Sequence, residues 1–129
     1  SINIMTIYAL SSGPGVSGVA VIRVSGKNTA QVIKKLTGSK LPKPRVATLK
    51  KFNKNGGKEL IDEGVILWFP APNSYTGEDL AEFHVHGSRA GIKAMHLEIS
   101  KDTHVEYKSE LVILSNDVSS DWRRHESKD

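Results

Sequence analysis

The sequence predicts an α+β domain, a mixed or antiparallel β-sheet flanked by two or three helices, on three observations. Short runs rich in β-branched residues alternate with stretches of helical spacing, but without the regular strand–helix–strand cadence of a parallel sheet. Asn55-Gly56-Gly57 lies between two strand-like runs and is a hairpin signal. A length of 129 residues, with 38% hydrophobic and 25% charged residues, suffices for one globular domain with a buried core.

Ile7 to Ser11 reads as a short strand, and Val19 to Ser25 as a stronger one flanked by glycine. Asn28 is placed to cap a helix over 29–37, with Ala30, Ile33 and Leu36 at helical spacing and Gly38 as the stop. Leu41-Pro42-Lys43-Pro44-Arg45 reads as a stiff extended linker. Ala47 to Phe52 and Leu60 to Phe69 form the hairpin arms. Acidic Glu78 and Asp79 after Thr76 favour a short helical turn, since acids suit a helix N-terminus. Glu82 to His86 is the next strand, and Gly87 or Ser88 opens a helix to about Ser100 with Ile92, Met95, His96 and Ile99 on one side. Val105 to Tyr107 and Leu111 to Leu114 suggest a hairpin, and residues 115–129 a frayed polar tail. Met5 reads as a natural start, so residues 1–4 are expected to be a leader or processing remnant. The organisation expected is a domain over 5–100 and a divergent tail over 101–129.

Composition excludes several classes. The chain has no cysteine, which removes disulfides, thiolate metal sites and a cysteine nucleophile, and suits a reducing, cytoplasmic compartment. No apolar run approaches the roughly 18 residues of a membrane span, and no signal peptide is visible. Charge is asymmetric: residues 1–60 carry 11 Lys/Arg against one Asp/Glu, and residues 61–129 carry 7 against 13. A basic half of this kind is either a solvated surface or a docking face for tRNA or an acidic partner. Gly13-Pro14-Gly15-Val16-Ser17-Gly18 satisfies G-x-G-x-x-G, but a strand follows where a helix N-terminus should meet a pyrophosphate. The ribose-binding acid expected about 20 residues on is missing too. The segment is a glycine-rich connection. No G-x-x-x-x-G-K-[ST] loop for GTP or ATP occurs.

The candidate site residues lie on two strands. Arg23 shares a strand face with Val21 and Ser25, where it offers a rigid donor fork to a carboxylate or phosphate or simply sits exposed. Glu82, His84 and His86 share one face of theirs, with Phe83 and Val85 opposite. Three readings of that face stand side by side. His84 and His86 form an H-x-H pair compatible with zinc and a metal-dependent hydrolase. The face is otherwise a solvated polar sheet surface. Or Glu82 accepts two parallel hydrogen bonds from an amino-pyrimidine edge such as a pterin's.

Val21-Ile22-Arg23-Val24-Ser25-Gly26, Leu41-Pro42-Lys43-Pro44-Arg45, the run from Leu67 to Asp79 and Glu82-Phe83-His84-Val85-His86-Gly87 together resemble the N-terminal domain of the TrmE-type tRNA-modification GTPases. The resemblance runs from about Met5 to Ser100. It implies a fold similar to the folate-dependent aminomethyltransferases, a homodimer, and binding of a tetrahydrofolate derivative, either 5-formyl- or 5,10-methylenetetrahydrofolate, with Arg23 and Glu82 as ligand contacts and no metal. The turn from Gly13 to Gly18, with little side-chain bulk, would let backbone approach that ligand. The resemblance also implies an FAD-dependent partner protein and tRNA, with carboxymethylaminomethyl modification of the wobble uridine. The family's further basic contact beyond the last helix, and the Pro-Gly-Glu-Phe-Thr pattern before it, have no counterpart here. Neither do the GTPase motifs.

Overall fold

The computed structural model describes residues 5–12 and 18–108. They form β1 (Thr6–Ser12), β2 (Val19–Ser25), α1 (Thr29–Thr37), β3 (Thr48–Lys54), β4 (Glu59–Phe69), β5 (Leu80–His86), α2 (Arg89–Ser100) and β6 (Val105–Tyr107). The strands make one six-stranded sheet in the order β3-β4-β5-β2-β1-β6. Every pairing is antiparallel except β1 with β6, which is parallel. The predicted mixed sheet with two flanking helices is the fold observed.

Alternation along the strands sorts the sheet into two unlike faces. Tyr8, Ala20, Ile22, Val24, Ile66, Trp68, Ala81, Phe83 and Val85 point to one side, where Val32, Ile33 and Leu36 of α1 and Met95 and Ile99 of α2 close over them. Phe52 and Phe83 meet edge to face at 5.5 Å in the middle of this core. Both helices thus cover the same face. The opposite face, with Arg23 and Glu82 on it, has no helix over it among the described residues.

Two local expectations change. Asn28 occupies the N-cap position of α1 but caps nothing with its side chain. Its Oδ1 accepts from the Thr6 hydroxyl at 3.2 Å and its Nδ2 donates to Gln31 Oε1, so the amide is spent on tying β1 to the helix start. No helical turn forms after Thr76. Gly77, at φ 77°, takes a left-handed conformation that breaks such a turn, and the segment closes through side chains: Asp79 Oδ1 accepts from Ala71 N, and Ser74 Oγ donates to Glu78 O. Val105–Tyr107 has its predicted hairpin partner, residues 111–114, outside the described residues. It joins β1 in parallel, and Lys108 N continues the ladder to Tyr8 O at 2.8 Å. Expectations for residues 1–4, for most of the 13–18 turn and for the tail from 109 onward also lie outside the described residues.

Other ends fall as read. Gly38, at φ 65°, stops α1 with its N–H on Lys34 O, and Ser88 caps α2 through Gly91 N.

Candidate functional site

β2 and β5 are neighbours, and their register sets Arg23 directly opposite Glu82 and Val21 opposite His84. Cross-strand partners share a face, so the pairing unites residues 59 positions apart in sequence. Arg23 Nε donates to Glu82 Oε2 at 2.9 Å, and His84 Nε2 lies 3.0 Å from Glu82 Oε1. Only 12% of the Glu82 side chain is exposed, against 29% for Arg23 and 32% for His84. The carboxylate is therefore the buried centre of the group, and the Arg23 and His84 side chains form its rim. The hydrogen bond from His84 is the main reason the Glu82 carboxyl sits below its ordinary range. Burial opposes this, and the Arg23 hydrogen bond and charge reinforce it.

Among the described residues each oxygen of Glu82 takes one protein donor, whereas an ionised carboxylate has about four acceptor positions. Acceptor capacity remains on both oxygens. The Arg23 fork is likewise partly used, since only its Nε is bonded among the described residues. What the group presents is an arginine donor beside a carboxylate acceptor in one plane of the sheet. Around it the face is apolar: Ala9 and Leu67 stand opposite Arg23 and Glu82, and Val65 stands opposite His84.

His86 does not join the group. Its Nδ1 lies 2.9 Å from Asp62 Oδ1, and its backbone N–H donates to Asp62 Oδ2 at 2.8 Å. Burial would raise the Asp62 carboxyl, but these His86 bonds and the Glu63 backbone N–H together outweigh it and hold the group below its ordinary range. The two imidazoles of the H-x-H pair thus serve separate carboxylates. Among the described residues no three His, Asp or Glu side chains gather as a metal ion needs.

The loop after β4 extends the site. Ser25, fully buried, bonds Thr76 at 2.8 Å and so pins the loop to the strand that carries Arg23. Between loop and sheet lies a cavity of about 570 Å3 lined by Arg45, Phe69, Asn73, Ser74, Tyr75 and Leu80. Leu80 lies two residues before Glu82 on the same face. Arg45 is the residue that the sequence reading passed over, as the end of a stiff linker. It adopts φ 66°, a conformation that costs a non-glycine residue on the order of 1 kcal/mol and tends to mark functional positions. Its N–H bonds Trp68 O, its Nη1 bonds Asn73 O at 2.8 Å, and its guanidinium stands 5.5 Å from the centre of the Phe69 ring. The only signal in the sequence was an arginine closing a Pro-Lys-Pro run, which does not announce a left-handed backbone.

A second cavity, of about 500 Å3, opens on the helix side between β1 and α2. It is floored by Tyr8, Leu10 and Ile22, and the Tyr8 hydroxyl is engaged with His96 at 3.1 Å. Burial pushes the Tyr8 phenol up to about 12.

These features define an α+β sheet domain with both described helices on one face, whose other face carries a paired carboxylate and arginine beside a loop-bounded cavity. The chain belongs to the family described as GTP-binding protein TrmE N-terminus, which matches residues 6–108. It is 68% identical over 97 residues to the tRNA modification GTPase MnmE of Pelagibacter ubique, covering 75% of this chain and 22% of that protein. It is 54% identical over 90 residues to the 5-taurinomethyluridine-[tRNA] synthase subunit GTPB3, mitochondrial, of Danio rerio, covering 70% of this chain and 18% of that protein. The MnmE of Rhizobium meliloti is 50% identical over 95 residues, covering 74% and 21%. The chain thus spans about a fifth of the length of the curated relatives it matches. Among the described residues no helix is long and apolar enough to cross a membrane.

Proposed function

We propose that this domain binds a tetrahydrofolate derivative, 5-formyl- or 5,10-methylenetetrahydrofolate, on the uncovered face of its sheet and serves a tRNA-modification GTPase in doing so. The observation that carries the reading is the Arg23–Glu82 pair, a donor beside an ionised acceptor in a partly buried, apolar surround. A pterin ring offers the matching edge: a carbonyl oxygen that accepts from Arg23, and ring and amino N–H groups that donate to Glu82. His84 keeps the carboxylate charged and aimed, so its remaining lone pairs meet the ligand ionised. The folate would carry the one-carbon unit, and the protein would position it.

A homodimer belongs to the same reading. Val19 and Leu49 are exposed on the face that carries Glu82, 47% and 66% respectively, and a second copy would cover them. tRNA and an FAD-dependent partner protein enter at the level of the longer relatives, in a cytoplasmic setting.

Isothermal titration with 5-formyltetrahydrofolate tests the proposal. Glu82→Ala removes the acceptor of a charge-assisted pair, and affinity is expected to fall by at least about tenfold. Equal affinity for the native chain and the variant would take Glu82 out of the site.

A further inference from the structure

We propose that the cavity between β1 and α2 is a second binding site, on the helix side of the sheet, for a small planar aromatic acid. The acid's rings lie against Tyr8, His96 and Tyr107, and its carboxylate meets Arg89 and Lys93. Arg23 and Glu82 take no part, because Ile22 in the cavity floor points to the opposite face of β2 from Arg23.

Shape is the first argument. The floor is hydrocarbon: Leu10 and Ile22 are cross-strand partners on β1 and β2, and Ile92 meets them from α2. Leu10 and Ile92 are only partly buried, so apolar surface is left at the opening. One wall is made of three rings. Tyr8 and His96 stand 5.6 Å apart, Tyr8 and Tyr107 5.3 Å, and His96 and Tyr107 5.1 Å, each tilted or edge-on to the next. Every ring touches the other two, and the Tyr8 hydroxyl is bonded to His96 Nδ1, so the wall is set before a ligand arrives. Tyr107 is 45% exposed, which leaves ring surface for a further aromatic partner. At about 500 Å3 the cavity falls within the range of small-molecule sites. A body of one or two fused rings suits it.

Charge is the second. Arg89 and Lys93 both line the cavity and lie four residues apart on α2, so they stand one turn apart on one side of the helix. Like charges at that spacing weaken a helix. Neither has an ion-pair partner among the described residues, and the first turn of α2 holds no acid to offset them. An anion between them removes the repulsion, and a carboxylate matches the arginine fork. A neutral aromatic would leave the two cations facing each other, and an inorganic anion would leave the hydrocarbon floor open. An aromatic acid satisfies both.

The test uses 2-naphthoate and its neutral counterpart 2-naphthalenemethanol, titrated into the native chain and into the double variant Arg89→Gln/Lys93→Gln with ligand fluorescence as the readout. Both positions are exposed and glutamine keeps helix propensity, so the variant is expected to fold. The native chain should bind the acid saturably and about tenfold more tightly than the alcohol, and the double variant should bind the two alike within about twofold. Ile92→Phe fills the cavity with a ring and keeps both cations, so it should weaken both ligands by at least about tenfold. Leu10→Phe makes the same comparison from β1 if that variant does not fold. Excess 5-formyltetrahydrofolate should leave the naphthoate bound, which separates this site from the one on the other face. Lack of saturable naphthoate binding, equal native affinity for acid and alcohol, or an acid preference that survives in the double variant would each overturn the site. Undiminished binding to the filled cavity, or displacement by the folate, would overturn it as well.

Discussion

Glu82 takes a donor on each oxygen, and this has a consequence in acid that needs no ligand. Its folded-state carboxyl lies below the ordinary value of 4.5, so as pH falls the unfolded chain takes up that proton first. The stability contributed by ionised Glu82 is whole above pH 4.5 and is lost as pH falls through the lower, folded value. Urea midpoints followed downward from neutral pH should drop more steeply for the native chain than for Glu82→Gln. Parallel slopes would mean that the carboxylate is not held as described. Much of this residue's situation was legible beforehand. Positions 82 and 84 share a strand face by alternation alone, and so their side chains can meet. That Arg23 supplies the second donor was not legible, because it depends on which strands are neighbours and in what register. Arg45 was hidden for a different reason: a positive φ on a long polar side chain leaves no pattern in composition or periodicity.

Strand β4 shows what an element requires of a single position. A Cβ on Gly64 would overlap the carbonyl oxygen of His84 and press on the Phe52 ring, so β4 can pass close to β5 here only without a side chain. Just beyond, the regular β4–β5 ladder ends, and the Asp62 carboxylate takes up the His86 N–H. Gly64→Ala is expected to cost about 3 kcal/mol in chemical denaturation, since the obstructing atom is backbone and cannot turn aside. A loss near zero would show that β4 has room to shift. Elements with strong local signals were read correctly. β2 has its β-branched run, α1 its glycine stop, and β3 with β4 their Asn-Gly-Gly turn. The misreadings fall where tertiary contacts override local preference. Thr76 is claimed by Ser25 and Asn28 by Thr6, and each leaves the helical role that its residue type favours. β6 pairs with a strand nearly 100 residues earlier, beyond the reach of any local pattern.

At the scale of the whole molecule, the placing of both described helices on one face of the sheet decides what the domain can do. Both helices pack on the core face, so the opposite face keeps Arg23, Glu82 and His84 within reach of solvent in an apolar surround. A sheet covered on both sides would have to bury this carboxylate among hydrocarbon, at a cost its two donors would have to offset in full. The loop from residue 70 to 79 then bounds the face on one side and adds the Arg45 cavity to it. The most direct test of the account sets the native chain against two ligands by isothermal titration: 5-formyltetrahydrofolate and an analogue lacking the 2-amino group that Glu82 is assigned to hold. The account predicts saturable binding of the folate and at least about tenfold weaker binding of the analogue, as loss of a charge-assisted hydrogen bond requires. Absence of folate binding, or equal affinity for the two ligands, would contradict it.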